Sequence, residues 1–295
     1  MYERRYGLIR TLAPLHVGAS AGEESGNLNL IFRDAYTQTG IIPGSSIRGR
    51  FRAEMRRGDP DASDYWYGTQ PQAGDHDAIS EGRLKFEYAS LVWLPVFCPG
   101  QPVVWVSCPR LLRRAASTGL CTIAPDEIDQ LANTGSKRII GADVKTDNAE
   151  QVKLFFNLGF LKLKRANDNQ QEALSSFIPS SFQQDVRTDQ LVVVDDASIG
   201  AIHDMALYRQ SRVKLKDSEK TVENFFNLEA LPEGCVMIFP VAINRNRASA
   251  QSQYGLSPFG DRMNQDSQNV DQMYFGGLES IGFGRCQTVI KEITK

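Results

Sequence analysis

The sequence predicts an α+β fold, an antiparallel sheet with helices spliced between its hairpins. Strand-like runs come in neighbouring pairs joined by short turns, helical patterns fall between the pairs, and strand and helix do not alternate regularly. The order strand, helix, two strands at one end, with a helix and strand at the other, resembles a split βαβ unit carrying a large central insertion. No internal repeat of about 20 to 50 residues is present.

Each element has a local reason. "YERRYGLIRTLAPLHVG" alternates weakly and reads as a strand from Tyr6 to Leu12 that ends in a proline-containing turn. "ASAGEESGN", residues 19–27, is small, polar and glycine-punctuated, a loop, and "LNLIFRD" a short extended piece. After the Pro43–Gly44 turn, Ser45 or Ser46 is placed to cap a helix. In it Ile47, Phe51 and Met55 recur every four residues as an apolar stripe, with Arg48, Arg52 and Arg56 one position further round; Gly58 and Pro60 end it. Residues 59–80 are polar and broken by Gly and Pro, which predicts an exposed loop. Two strands follow around Pro99–Gly100, and then a helix with Pro109 in its first turn. Residues 115–190 form a mainly helical insertion, with a short helix at 125–133, strand-like pieces in "QVKLFFNLGFLKLK" and a helix in "NDNQQEALSSF". "QLVVVDD" is a buried strand, with Asp195 and Asp196 capping the next turn. Residues 205–228 predict a hairpin, followed by the strong strand "CVMIFPVAI". The polar segment 244–269 leads to a helix near "DQMYFGGLES" and a last strand, "CQTVIKEI".

Composition bounds the function. With 41% apolar and 23% charged residues the chain reads as an ordinary soluble protein, and the N-terminus lacks a secretory signal, so a cytosolic location is the default. No run approaches the roughly 20 apolar residues of a membrane span. Five scattered cysteines without a CxxC pair, and three histidines, predict neither disulfides nor a zinc site; Cys98 reads as a buried small hydrophobe. A net charge of -2 excludes a uniformly basic nucleic-acid binder but permits a local basic track. There is no GxxxxGK[ST] loop and no strand–GxGxxG–helix order, which removes the usual nucleotide folds.

Three stretches carry chemistry. The helix opened by Gly44–Ser46 offers unpaired N–H groups and a positive dipole end, with Arg48 and Arg52 as guanidinium donors on successive turns. A phosphate chain is the natural guest, and a solvated helix face is the rival reading. "GGLESIGFGRC" places Gly276, Gly277, Gly282 and Gly284 beside Arg285, suited to close approach of a polyanion or simply to a turn between helix and strand. Arg212, Lys214 and Lys216 alternate on one face of a strand, either reaching along nucleic acid or guarding a sheet edge.

Together "LHVGAS" (15–20), "RDAYTQTGIIPGSSIRGRFR" (33–52) and "GGLESIGFGR" resemble the signature of the RAMP superfamily of CRISPR-associated proteins. Residues 90–114, "LVVVDD" and the hairpin region narrow the likeness to the backbone subunits of type III effector complexes, the fourth Cmr subunit ahead of its Csm equivalent. The resemblance implies one domain over 1–295 with a ferredoxin-like, RRM-like core whose copies stack along a CRISPR RNA. Its implied partners are that guide, the target RNA, further copies and the other subunits of the complex, with no membrane. Ser45, Ser46, Arg48 and Arg52, with Gly18, would hold guide phosphates. Gly276, Gly277, Gly282, Gly284 and Arg285 would cradle the adjoining stretch. Arg212 and Lys214 would lie on a hairpin thumb over 205–228, with Met205, Leu207 or Val222 as the wedge that kinks the guide.

Active members of the family cleave target RNA through an early-loop aspartate and a divalent ion, Mg or Mn; no cofactor is implied as tightly bound. The matching position here is Leu28 by one count and Asn27 by another, and neither side chain is a base. Glu23, Glu24 and His16 are the substitutes to consider. Three readings therefore stand: a guide-holding scaffold, a metal-dependent endoribonuclease, and a soluble enzyme using Gly44–Ser46 for a phosphorylated small molecule.

Overall fold

The computed structural model describes residues 2–19, 28–69, 80–101, 103–139, 151–157, 159–215, 222–244, 258–259 and 271–293. In chain order the elements are strands β1 (Tyr2–Thr11) and β2 (Leu28–Asn29), helices α1 (Gly44–Gly58) and α2 (Pro60–Tyr67), and strands β3 (Leu84–Phe86), β4 (Ser90–Phe97) and β5 (Val103–Ser107). Helices α3 (Pro109–Thr118) and α4 (Pro125–Asp129) precede β6 (Thr134–Gly135), β7 (Gln151–Phe156), β8 (Gly159–Arg165), α5 (Asp168–Ser176), β9 (Leu191–Val193) and α6 (Ile199–Ala206). The chain ends with β10 (Tyr208–Leu215), β11 (Val222–Ala230), β12 (Val236–Asn244), β13 (Asp271–Tyr274) and β14 (Arg285–Glu292).

Ten strands form one path, β13-β14-β1-β12-β4-β5-β9-β6-β8-β7, with β3 also pairing β12; β10, β11 and β2 form a separate sheet. The N-terminal strand is interior, third along this path, antiparallel to β12 on one side and β14 on the other. Its neighbour β12 is in turn antiparallel to β4. The first and last strands are thus direct neighbours in the sheet.

Both faces of these strands are covered, so successive residues enter different cores. Ile9, Leu91, Met237 and Phe239 pack with Ile47 and Phe51 of α1, Trp66 and Tyr67 of α2, and Ile199 and Ile202 of α6. Leu8, Val92, Trp93, Val236 and Ile238 pack with Leu112 and Ala115 of α3, Ile128 of α4, and Leu174 and Phe177 around α5. This double burial explains why the strands read as near-continuous apolar runs.

Several expectations change. The first strand begins at Tyr2, where pairing with Asn244 extends it beyond the alternating segment. Pro43 occupies the N-cap position of α1 with no side-chain cap, so neither Ser45 nor Ser46 acts as a cap. Residues 60–67 are a helix rather than loop: Asp59 accepts from Ala62 N and Pro60 opens the first turn, while Trp66 and Tyr67 are buried. Residues 70–79 of that expected loop lie outside the described residues. The 115–190 insertion holds the β7–β8 hairpin and β6 beside its helices. The helix expected near "DQMYFGGLES" is strand β13, paired with β14, followed by a single 3-10 turn at Glu279–Ile281.

One tight contact sits in the interior of the sheet. A Cβ on Gly7 would fall 2.0 Å from Cζ of the buried Phe239 ring. Gly7→Ala is expected to destabilise the fold by about 1–3 kcal/mol, the usual cost of overpacking. Denaturant midpoints check this, and Phe239→Leu in the same chain should recover part of the loss.

Candidate functional site

The three sequence motifs, far apart in the chain, are stitched together by main-chain hydrogen bonds. Gly277 N donates to His16 O at 3.0 Å, Phe32 N to Val17 O at 2.9 Å, and Ile41 N to Phe32 O at 3.0 Å. Gly284 N donates to Pro14 O at 2.8 Å and Leu12 N to Arg285 O at 2.8 Å. The loop after β1, the approach to α1 and the glycine loop before β14 therefore form one continuous layer. Gly276 makes the closest approach possible: its φ is +75°, and a Cβ there would meet His16 O at 2.1 Å.

Helix α1 begins at the edge of this layer. Its first turn holds no acidic residue and no side-chain cap, so its free N–H groups and positive dipole end remain available to an anion. Ser45 is exposed and Ser46 half-buried. Gly44 lets the helix start press on β3, because a Cβ would lie 2.3 Å from Phe86 O. The arginines divide by helical angle. Arg48 donates to Tyr67 O and Arg52 to Gly68 O, so both guanidinium groups satisfy the last carbonyls of α2; Arg52 and Arg56 also approach Asp64. Arg50, two residues and about 200° from Arg48, faces the glycine loop instead, 3.8 Å from Glu279, and pairs with Glu54 at 2.5 Å. The helix and the glycine loop do converge, but through Arg50. Sequence reasoning passed over Arg50 because it lies off the four-residue stripe.

Within the glycine loop Gly276, Gly277 and Gly282 are exposed, as is Arg285, whose Nη2 contacts Leu12 O at 3.4 Å. Gly284 is buried, and a Cβ there would meet Phe275 O at 2.3 Å, so its role is packing. Gly18 bridges to Ile31 on the same layer.

The β10–β11 hairpin is rooted here. Leu15 and Leu231 exchange two backbone bonds at 2.9 Å, and β2 runs parallel to β11 at Asn227–Leu228. Leu228, Ala230 and Phe283 form a small core of their own, with Tyr208 edge-on to Phe283 at 5.8 Å. Beneath them Glu229 is almost wholly buried and bound by two arginines, Arg33 at 2.9 Å and Arg209 at 3.3 Å. Arg33 also holds Asp204 of α6 at 2.5 Å. Burial opposes its charge, yet the hydrogen bonds and charges of these two carboxylates raise its pKa above the ordinary arginine value. Next to it the buried His203 accepts from Gly40 N at 2.9 Å, which puts its proton on Nδ1, 3.6 Å from Asp204. Burial lowers the His203 pKa, and contact with His203 and then Arg33 lowers that of Asp204 to about 2.

The candidate wedges separate. Leu207, at the C-cap of α6, is buried in the main core, and Met205 in the last turn of α6 is half-buried against it. Val222 begins β11, and its side chain, like that of Lys214 in β10, lies outside the described residues. Among the described residues of the arm, the most exposed apolar side chains are Val213 and Phe225, 53% and 52% accessible and directly opposite each other. Arg212 lies over the Phe226 ring at 5.3 Å. The strand alternation around Arg212 carried the signal for Val213; nothing in the pattern separated Phe225 from Phe226.

The expected catalytic position is chemically empty. Leu28 is half-buried in β2 and has no donor atom, while Glu23, Glu24 and Asn27 lie outside the described residues. His16 directs Nδ1 to Glu229 O at 2.6 Å and is buried, which makes it a fastener between loop and hairpin. Glu229 and Asp204 already bind arginine, and among the described residues no group of three metal-ligating side chains gathers. Among the described residues, then, no side-chain set fits a divalent ion.

A family model described as the RAMP superfamily matches residues 8–287. Among solved structures, a chain of the type III-B Cmr-beta complex bound to cognate target RNA superposes with a TM-score of 0.68 at 20% identity, covering 97% of this chain and 96% of that one. Oligomeric Cmr4 from Pyrococcus furiosus gives 0.66 at 16% identity, with 99% of each chain covered. Pyrococcus furiosus Cmr4 (Cas7) gives 0.62 at 14%, covering 98% of this chain and all of that one. At these identities the likeness establishes the fold. No curated protein matches the sequence.

Two outcomes follow from the ion network. Arg33→Ala strands the Glu229 carboxylate with Arg209 alone and should cost about 3 kcal/mol. Arg33→Lys should recover only part, because one ammonium cannot reproduce the fork; urea midpoints report both. The unfolded chain protonates His203 near the ordinary histidine pKa of about 6.5, whereas the folded chain resists that proton. Stability should therefore fall as pH drops below about 6.5. Asp204 adds stability above the ordinary carboxylate pKa of about 3.9 that is lost from there down towards 2. Melting temperatures across pH 3 to 8 check both phases, and His203→Gln should remove the upper one.

Proposed function

The chain belongs to the RAMP superfamily, and on that footing we propose that it is a guide-RNA-holding backbone subunit of a type III CRISPR effector complex. The observation that carries this is the stitching of three distant motifs into one surface beside an uncapped helix start. Exposed glycines admit a ribose-phosphate chain, the first turn of α1 and the hydroxyls of Ser45 and Ser46 meet phosphate oxygens, and Arg285 and Arg50 flank it. Arg48 and Arg52 act from behind, fixing α2 against α1. Such a grip reads the backbone alone and accepts any guide sequence. Its structural relatives point the same way, one from a complex bound to target RNA and one oligomeric, which fits RNA, further copies and other subunits as partners.

In this reading the antiparallel set β14-β1-β12-β4 is a ferredoxin-like core within a single domain over 1–295. The β10–β11 hairpin is the thumb, with Val213 and Phe225 as its wedge. Leu28 in place of a carboxylate favours a subunit that holds the guide without cutting the target.

Binding of two guide-length RNAs of unrelated sequence tests the grip. Ser46→Glu with Arg285→Glu should weaken both equally, by about tenfold or more, and reduce the salt slope by roughly 1 per lost phosphate contact. Unchanged affinity would remove the assigned surface. Complexes assembled with this chain, complementary RNA and Mg²⁺ or Mn²⁺ test the second point. No cut attributable to this subunit is expected, and Leu28→Asp or Asn27→Asp is the change expected to create one. Cleavage by the unaltered chain that is lost on changing Glu23 or Glu24 would overturn the scaffold reading.

A further inference from the structure

The β7–β8 hairpin lies at the far end of the sheet from the glycine loop, a path of roughly 40 Å at about 4.8 Å per strand. Val152, Leu154, Phe156 and Leu163 point into the core. The other face is a ladder of three cross-strand pairs: Gln151 opposite Lys164, Lys153 opposite Lys162, and Phe155 opposite Phe160. Two ammonium groups directly opposite each other disfavour the fold. Among the described residues no carboxylate pairs with Lys153, Lys162 or Lys164, although ion pairs elsewhere in the structure are numerous. Edge protection accounts for Lys153, because β7 ends the sheet. It does not account for Lys164, which is exposed where β8 also pairs with β6; Lys162, exposed too, is paired on the β7 side.

The aromatic pair is also out of place. Phe160 is 51% exposed, its ring 5.9 Å from Phe155 and 5.4 Å from the Lys153 ammonium. Phe97, 60% exposed, precedes Cys98, whose thiol meets the Phe155 backbone. Neighbouring rings beside a line of ammonium groups on a sheet face are what a single nucleic-acid strand requires, bases on the rings and phosphates on the lysines. An acidic protein would use the lysines but leave the rings without partners of their kind.

We propose that the outer face of the β7–β8 hairpin is a second contact for single-stranded nucleic acid, separate from the surface around α1 and the glycine loop. The test is photocrosslinking of the full chain to a 4-thiouridine-containing oligouridylate, with the crosslinked peptides mapped and affinity measured against salt. Crosslinks are expected at Phe155 or Phe160. Lys153→Glu with Lys162→Glu should abolish them while leaving crosslinks near Gly276–Arg285 in place. Phe160→Ala, at an exposed tip that folding does not need, should weaken this contact about tenfold. Absence of crosslinks in 151–165, or their persistence in the double variant, would overturn the proposal. So would displacement of the RNA by polyglutamate at equal charge concentration, which would mark a surface for an acidic protein. Loss of the Gly276–Arg285 crosslinks alone would count against the primary function and not against this contact.

Discussion

The arrangement depends on a few main-chain hydrogen bonds that join residues 12–17 to residues 277–285 and to the segment leading into α1. Those to residues 277–285 join segments more than two hundred residues apart, and they exist because β1 and β14 are neighbours in the sheet. Antiparallel pairing brings β1 and β14 into register; the loops that leave those strands on the same side then have no choice but to meet. Gly276 is needed at this meeting point because any side chain would strike His16 O. A surface fixed by backbone contacts holds its shape independently of which side chains decorate it, which suits a grip that must ignore base sequence.

The hairpin arm is secured differently, by charge. Glu229 could not stay buried in β11 without Arg33 and Arg209, and Arg33 could not reach it without the turn 34–40 that His203 fastens through Gly40. The arm, α6 and the loop before α1 thus share one electrostatic joint around the buried Glu229. A lever anchored by such a joint is stiff at its root while Val213 and Phe225 project from its length. Stiffness at the root is what a wedge would need to push neighbouring bases apart.

Much of this was legible in the sequence where local chemistry decides it. The stripe Ile47, Phe51 and Met55, the Pro109 helix start and the run "LVVVDD" each behave as their patterns require. The glycine loop and the α1 start were also visible, because glycine and serine at turns have few other uses. What could not be read was direction around a helix once a tertiary partner intervenes. Arg48 and Arg52 carried the obvious pattern, yet α2, hidden in a stretch that looked like loop, claims both. Likewise Met205 and Leu207 looked like hairpin residues until the boundary of α6 placed Met205 in its last turn and Leu207 in the core. The joint around the buried Glu229 was invisible for the same reason, since its members lie at positions 33, 204, 209 and 229 with no spacing rule to connect them.

The central claim is that one ribose-phosphate strand touches the α1 start, the loop after β1 and the glycine loop together. Amide hydrogen exchange with and without guide RNA measures this most directly, since it reads the backbone donors themselves. The account predicts that residues 15–19, 44–47 and 276–285 gain protection at the same RNA concentration. Protection confined to one of these segments, or appearing only elsewhere on the chain, would contradict it.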